Sequence, residues 1–241
     1  MRTAVFIGIT LLAGAISGII YGSMNLIVTE PFIDQAIDLE IQNAIREGEN
    51  IGSTEEITQY RMWQKGGQVL AGGILGLSLG SLFALVYAFG WSSLPGSNGT
   101  KKGLFLAAVM WFTIFLLPFL KYPSNPPAVG DPETLYYRQS LYLLFIAASG
   151  LGALGLAFLY KRLGDRRLRK FAVATLYAAY ISALFVMMPP NPDPITIPSD
   201  LVNNFRIASA LTVTLFWFLL GATFGAFWDR FKPQVRIRSK F

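Results

Sequence analysis

The sequence predicts an all-α integral membrane protein of six transmembrane helices, built as repeated two-helix hairpins with an outer amphipathic helical loop. Three observations predict it. The chain is 53% hydrophobic and only 14% charged, against roughly 25% charged in soluble domains. Six strongly apolar stretches lack Asp, Glu, Lys and Arg: Thr3–Thr29, Gly66–Thr100, Gly103–Leu120, Gln139–Tyr160, Phe171–Pro192 and Ile207–Trp228. A bilayer span needs about 20 such residues, and a mid-bilayer Lys or Asp costs about 2.5–3.5 kcal/mol. The segments between them alternate in charge. The expectation is a single membrane domain, 1–241, with spans at about 4–28, 67–91, 103–121, 139–160, 171–189 and 206–228.

Each element follows in turn. Ala13-Gly14-Ala15 resembles a signal-cleavage site, but the apolar run continues to Val28, so the first run reads as a retained helix. The outer loop 30–65 carries Ile33, Ile37, Ile41 and Ile45, which repeat every four residues as the stripe of an amphipathic helix. Pro31 suits its first turn, with Glu30 and Asp34 at the favourable end of the dipole. Gly48 can end it, and Ser53-Thr-Glu-Glu56 reads as a capping box opening a second helix that runs into span two. Gly14, Gly18 and Gly22 in span one, Gly72, Gly76 and Gly80 in span two, and Gly221 and Gly225 in span six form ladders for close helix approach.

Two proline-rich outer loops, 122–138 and 189–205, hold 9 of the 13 prolines. Each precedes an Arg-led span, and Arg138 to Lys161 and Arg206 to Asp229 are both 23 residues. Spans three and four therefore read as one hairpin and five and six as its parallel tandem copy, with one and two a divergent third. Arg138 and Arg206, at the outer mouths of spans four and six, are structural loop anchors expected to pair with Asp131, Glu133 or Asp200.

Orientation follows from the cations. With six spans, the side carrying both termini holds 14 of the 20 Lys and Arg and 2 of the 14 acids. The positive-inside rule puts both termini in the cytoplasm of a multi-pass cell-membrane protein. Arg166, Arg167, Arg169 and Lys170, with the Arg236–Lys240 tail, face anionic lipid heads. They are not a nucleic-acid site. The Asn98 sequon falls on the cytoplasmic side.

The chain has no Cys and no His. That excludes thiol nucleophiles, Cys/His zinc sites and Ser-His-Asp chemistry. Gly150-Leu-Gly-Ala-Leu-Gly155 matches a dinucleotide fingerprint but lies inside a span without a βαβ unit. Gly76-Leu-Ser78-Leu-Gly80 matches a nucleophile elbow but has no His to serve it. No enzyme is expected, and no tightly bound cofactor. What remains is oxygen on the outer face: Asp34, Asp38, Glu40, Asn125 and Asn191 are candidate ligands for a transient Co2+ or other divalent cation. Asp34 and Asp38, at i and i+4, can share an ion.

On these residues the chain resembles the CbtA family of probable cobalt transporter subunits. The resemblance rests on the Gly-rich first span leading into the acidic segment Glu30–Glu40, on Lys121–Glu133 with Arg138, on Met188-Pro-Pro-Asn-Pro-Asp-Pro194 with Pro198 and Arg206, and on Trp217, Gly221 and Gly225. It implies cobalt uptake linked to corrin synthesis and a small single-span partner with a His-bearing end. The competing reading is a non-catalytic scaffold subunit of a larger membrane complex. A transporter should show a polar path at mid-membrane, whereas a scaffold should be packed solid.

Overall fold

A computed structural model describes residues 2–48, 53–162 and 166–233. These form helices and turns, with no strand among the described residues. Eight helices follow one another: α1 (Thr3–Val28), α2 (Glu30–Glu47), α3 (Thr54–Gly90), α4 (Gly99–Trp111), α5 (Leu117–Lys121), α6 (Leu135–Arg162), α7 (Arg166–Met187) and α8 (Ser199–Phe231). A π turn, Phe112–Leu116, joins α4 to α5, so Gly99–Lys121 is one apolar helix.

Among the described residues five helices are long and apolar enough to cross a membrane: Thr3–Val28, Glu55–Gly90, Gly99–Lys121, Pro132–Tyr160 and Ser199–Phe231. The fifth sequence run forms a shorter apolar stretch, Phe171–Met187. The chain is thus an all-helical membrane protein. Several helices overrun their expected ends. Residues 199–205, expected as loop, open α8 because Pro198 stands at its N-cap and Asp200 lies in its first turn. Pro132–Thr134 begins a short 3-10 turn that feeds α6, so Arg138 is already helical.

The chain divides into two compact units. The first comprises 1–109, 126–128 and 197–241, and the second 110–125 and 129–196. The division does not follow the expected hairpins. α7 packs on α6 in the second unit, whereas α8 packs on α1 in the first.

In the first unit α1 lies along α3 and α8. The glycine ladders make that approach possible. A Cβ on Gly72 would lie 2.5 Å from the Gly18 carbonyl and 2.8 Å from Gly22 Cα; one on Gly76 would lie 2.6 Å from Gly18 Cα. Gly221 and Gly225 serve α8 in the same way against Gly103, Ala107, Gly99 and Thr100 of α4. All three predicted ladders therefore pack within the chain. At one end Phe83 and Tyr87 of α3 meet Phe224 and Trp228 of α8 edge to face, and Tyr87 donates to the Gly99 carbonyl at 2.8 Å. The Asp229 carboxylate caps α4, accepting from Gly99 N–H at 2.6 Å and Thr100 N–H at 2.9 Å.

The second unit is centred on Leu117, Tyr122, Leu141, Phe145, Ile181 and Met188. Its proline-rich segments meet at one end. Tyr122 donates to the Pro189 carbonyl at 2.6 Å, and Lys121 Nζ to the Phe185 carbonyl at 2.8 Å.

Candidate functional site

The acidic start of α2 holds a cluster of ion pairs in the first unit. Pro31 and Glu30 open the helix as expected, and Gly48 closes it with φ 77°. The capping box also forms, with Ser53 Oγ accepting from Glu56 N–H at 3.2 Å and Glu56 Oε2 from Ser53 N–H at 3.1 Å. That places Arg61, Lys65 and Gln68 on one face of α3, at i, i+4 and i+7, turned to α2. Arg61 Nη2 binds the Glu30 carboxylate and reaches Asp34 at 3.0 Å. Lys65 Nζ reaches the other Asp34 oxygen at 2.8 Å, and Gln68 Nε2 donates to Glu30 at 2.6 Å. Glu30 is 4% exposed, so its charge is buried and fully paired. Burial pushes the Asp34 carboxyl up, but hydrogen bonds and charge from Lys65 and Arg61 outweigh it and hold the carboxyl below its usual range.

The candidate ligands fall in both compact units. Asp34 is engaged by two cations, and Asp38 and Glu40 are exposed on the following turns. Asn125 and Asn191 lie in the second unit. Asn191 Oδ1 accepts from Asp193 N–H at 3.2 Å and so orders its own loop. Among the described residues no three carboxylates stand close enough together to hold a metal. Sequence reasoning missed Arg61, Lys65 and Gln68, although their helical spacing at the edge of a charge-free run was a usable signal.

Arg138 is an anchor, but with a different partner from the one expected. Its Nε reaches Asp193 Oδ2 at 2.8 Å, and its Nη2 donates to the Asp131 backbone carbonyl at 3.1 Å. Of the expected carboxylates, Asp131 is otherwise engaged, its Oδ1 capping the short helix by accepting from Glu133 N–H at 2.8 Å. Asp193 also accepts from Thr134 Oγ1 at 2.7 Å and Asp131 N–H at 3.2 Å, and its side chain is 6% exposed. One buried carboxylate thus ties the second proline-rich loop to the first. Gly130 is required there twice over: its φ is 103°, and a Cβ would lie 2.6 Å from Asp193 Oδ2. Arg206 is partly buried on α8 in the first unit. The side chains of Arg166, Arg167, Arg169 and Lys170, and the tail 236–240, lie outside the described residues.

The grooves of the first unit are apolar. One, of about 480 Å³, runs between Ala15 and Ile19 of α1 and Gly66, Val69, Leu70, Gly73, Ile74 and Leu77 of α3. A smaller one lies between Phe6, Thr10 and Ser81.

Long apolar helices, charges confined to their ends and paired carboxylates at a helix corner define a multi-span membrane protein whose polar chemistry lies at its rims. The chain matches the family described as Probable cobalt transporter subunit (CbtA) over residues 3–229 and belongs to it. The family is thus one of cobalt transport, and its members are named as subunits. Comparison with curated proteins and with solved structures gives no match.

Proposed function

We propose that this chain is the membrane subunit of a divalent-metal, cobalt-type uptake system that acts with a partner subunit. Membership of the family carries the reading. The chemistry supports the need for a partner. A chain without His or Cys offers chiefly oxygen donors, and these hold Co2+ weakly beside imidazole or thiolate. Asp34, Asp38 and Glu40, with Asn125 and Asn191, are proposed as passing contacts for the cation, which is cargo here. The small membrane partner would supply the capturing ligands.

The proposed frame is six spans with both termini cytoplasmic. The Arg138–Asp193 pair supports it, because α6 leaves the proline-rich end and α7 returns to it. α7 has 22 residues, about 33 Å at 1.5 Å per residue. Its 17-residue apolar stretch, Phe171–Met187, spans about 25 Å, a mismatch that local thinning can absorb. The matched 23-residue spacings still favour a repeat of the two-helix hairpin.

The test is Co2+ uptake by cells carrying the chain alone, then with the candidate partner, against an Asp34→Asn/Asp38→Asn variant. Uptake that needs both the partner and the carboxylates supports the reading. The second reading, a scaffold in a larger membrane complex, is favoured by the apolar grooves. It predicts flat uptake in every combination and co-purification with a larger assembly.

A further inference from the structure

The apolar helix Gly99–Lys121 changes its hydrogen-bond register once. Across Phe112–Leu116 it widens into a π turn, and the Leu117 N–H reaches the Phe112 carbonyl, five residues back. Pro118 follows immediately. Proline has no N–H. In α register the amide missing at 118 would have served the Ile114 carbonyl, and in π register the Thr113 carbonyl. The helix's own backbone therefore does not choose between the two.

A neighbouring helix does. Ser149 of α6 donates its hydroxyl to the Thr113 carbonyl at 2.6 Å, and it is fully buried. The Tyr177 hydroxyl of α7 lies 3.0 Å from Ser149 Oγ. Gly150 lets α6 come this near, since a Cβ there would press on Ile114 Cγ2 at 3.0 Å. The glycine run that mimics a nucleotide-binding fingerprint serves packing of this kind, for Gly152 likewise faces the Tyr180 ring.

We propose that Ser149, backed by Tyr177, is a register clip that selects the π form of this span. Its release lets the helix relax to α register, which turns residues beyond 117 by about 100°, one residue of an α-helix. Those residues carry Lys121 and Tyr122, whose bonds to Phe185 and Pro189 dock the first proline-rich segment on the second. The two registers thus differ in whether that docking is made. A π turn at a functional position is a known device. This one gives a span with no charged residue between Gly103 and Leu120 an uncharged two-state element. Only its use in uptake rests on the transport reading; the register choice does not.

The native chain lacks cysteine, so spin labels can be placed on the full chain in lipid vesicles without background. One pair, at Leu120 and Leu143, reads α5 against α6; a control pair, at Leu151 and Leu176, reads α6 against α7. Electron–electron distance measurements should give one narrow Leu120–Leu143 distance in the parent and a broadened or double distribution in Ser149→Ala. In Ser149→Ala/Pro118→Ala the clip is gone and the restored amide can serve Ile114, so the commoner α register is expected, and the distance should move by several Å to a new single value. The control distance should stay fixed in all three. An unmoved Leu120–Leu143 distance in the double variant overturns the proposal. So does movement of both pairs together, which would mean that Ser149 merely holds the bundle. Co2+ uptake by the same variants is read separately: moving distances with uptake absent throughout would leave the clip standing and remove the transport reading.

Discussion

Gly76 and Gly73 sit three residues apart on α3, yet they should respond very differently to one added methyl. At Gly76 a Cβ would meet Gly18 backbone across the helix seam, while at Gly73 it would meet only Ile19 Cγ1 at 3.6 Å. Gly76→Ala should therefore cost about 1–3 kcal/mol, the usual cost of overpacking a tight contact, and Gly73→Ala close to nothing. Thermal unfolding in detergent compares them directly, and equal melting temperatures would show that the ladder is not the seam. Asp193 poses the electrostatic counterpart. Asp193→Ala leaves Arg138, 22% exposed at its side chain, without its carboxylate. The expected loss is about 1.5–3 kcal/mol, the range for hydrogen bonds to charged groups. Asp131→Ala should cost less, because Arg138 binds the backbone carbonyl of that residue and not its side chain.

At the scale of the element, helix ends were legible in the sequence wherever the signal is local. Pro31, Gly48 and the Ser53–Glu56 box each act within one turn of the end they define, and each forms as read. Ends set by distant residues were not legible. The cap of α4 is Asp229, 130 positions away, and no local pattern announces it. The partner of Arg138 was missed for the same reason: nearby carboxylates were the natural guess, and a distant loop supplied it. The candidate metal ligands were chosen as oxygen donors on the outer face, and the sequence did not reveal that Asp34 would already be held by Arg61 and Lys65. That holding has a pH signature. A carboxylate whose folded pKa is depressed contributes stability that is present above its unfolded value and lost as pH falls through the folded one. Asp34 therefore keeps the start of α2 on α3 from about pH 8 down to about pH 5, and the hold weakens only below the usual carboxylate pKa of about 4. Mobility of a spin label at Gln42 should be flat over the first range and rise below it. A change near neutral pH would exclude Asp34 as the cause.

For the whole molecule the deciding quantity is which side each rim faces. The sequence assigns 14 of 20 cations to one side, and the fold adds a constraint that charge counting lacks. Arg138 and Asp193 form a 2.8 Å pair, so the two proline-rich loops lie on the same side of any membrane that the chain crosses. That requires α6 and α7 together to cross an even number of times. In the proposed six-span frame α6 is a long apolar span and α7 crosses as well, despite its shorter apolar stretch. Cysteine scanning reads this directly, since the chain starts with none. Single cysteines at Asn43, Pro192 and Lys101 all replace exposed residues. In intact cells a membrane-impermeant maleimide should label the first two and spare the third until the membrane is opened. Labelling at Asn43 with protection at Pro192 would mean that α7 does not cross, and the Arg138–Asp193 pair would then be impossible in the membrane. Labelling at Lys101 alone would invert the molecule and place the proline-rich rim, with its paired charges, in the cytoplasm.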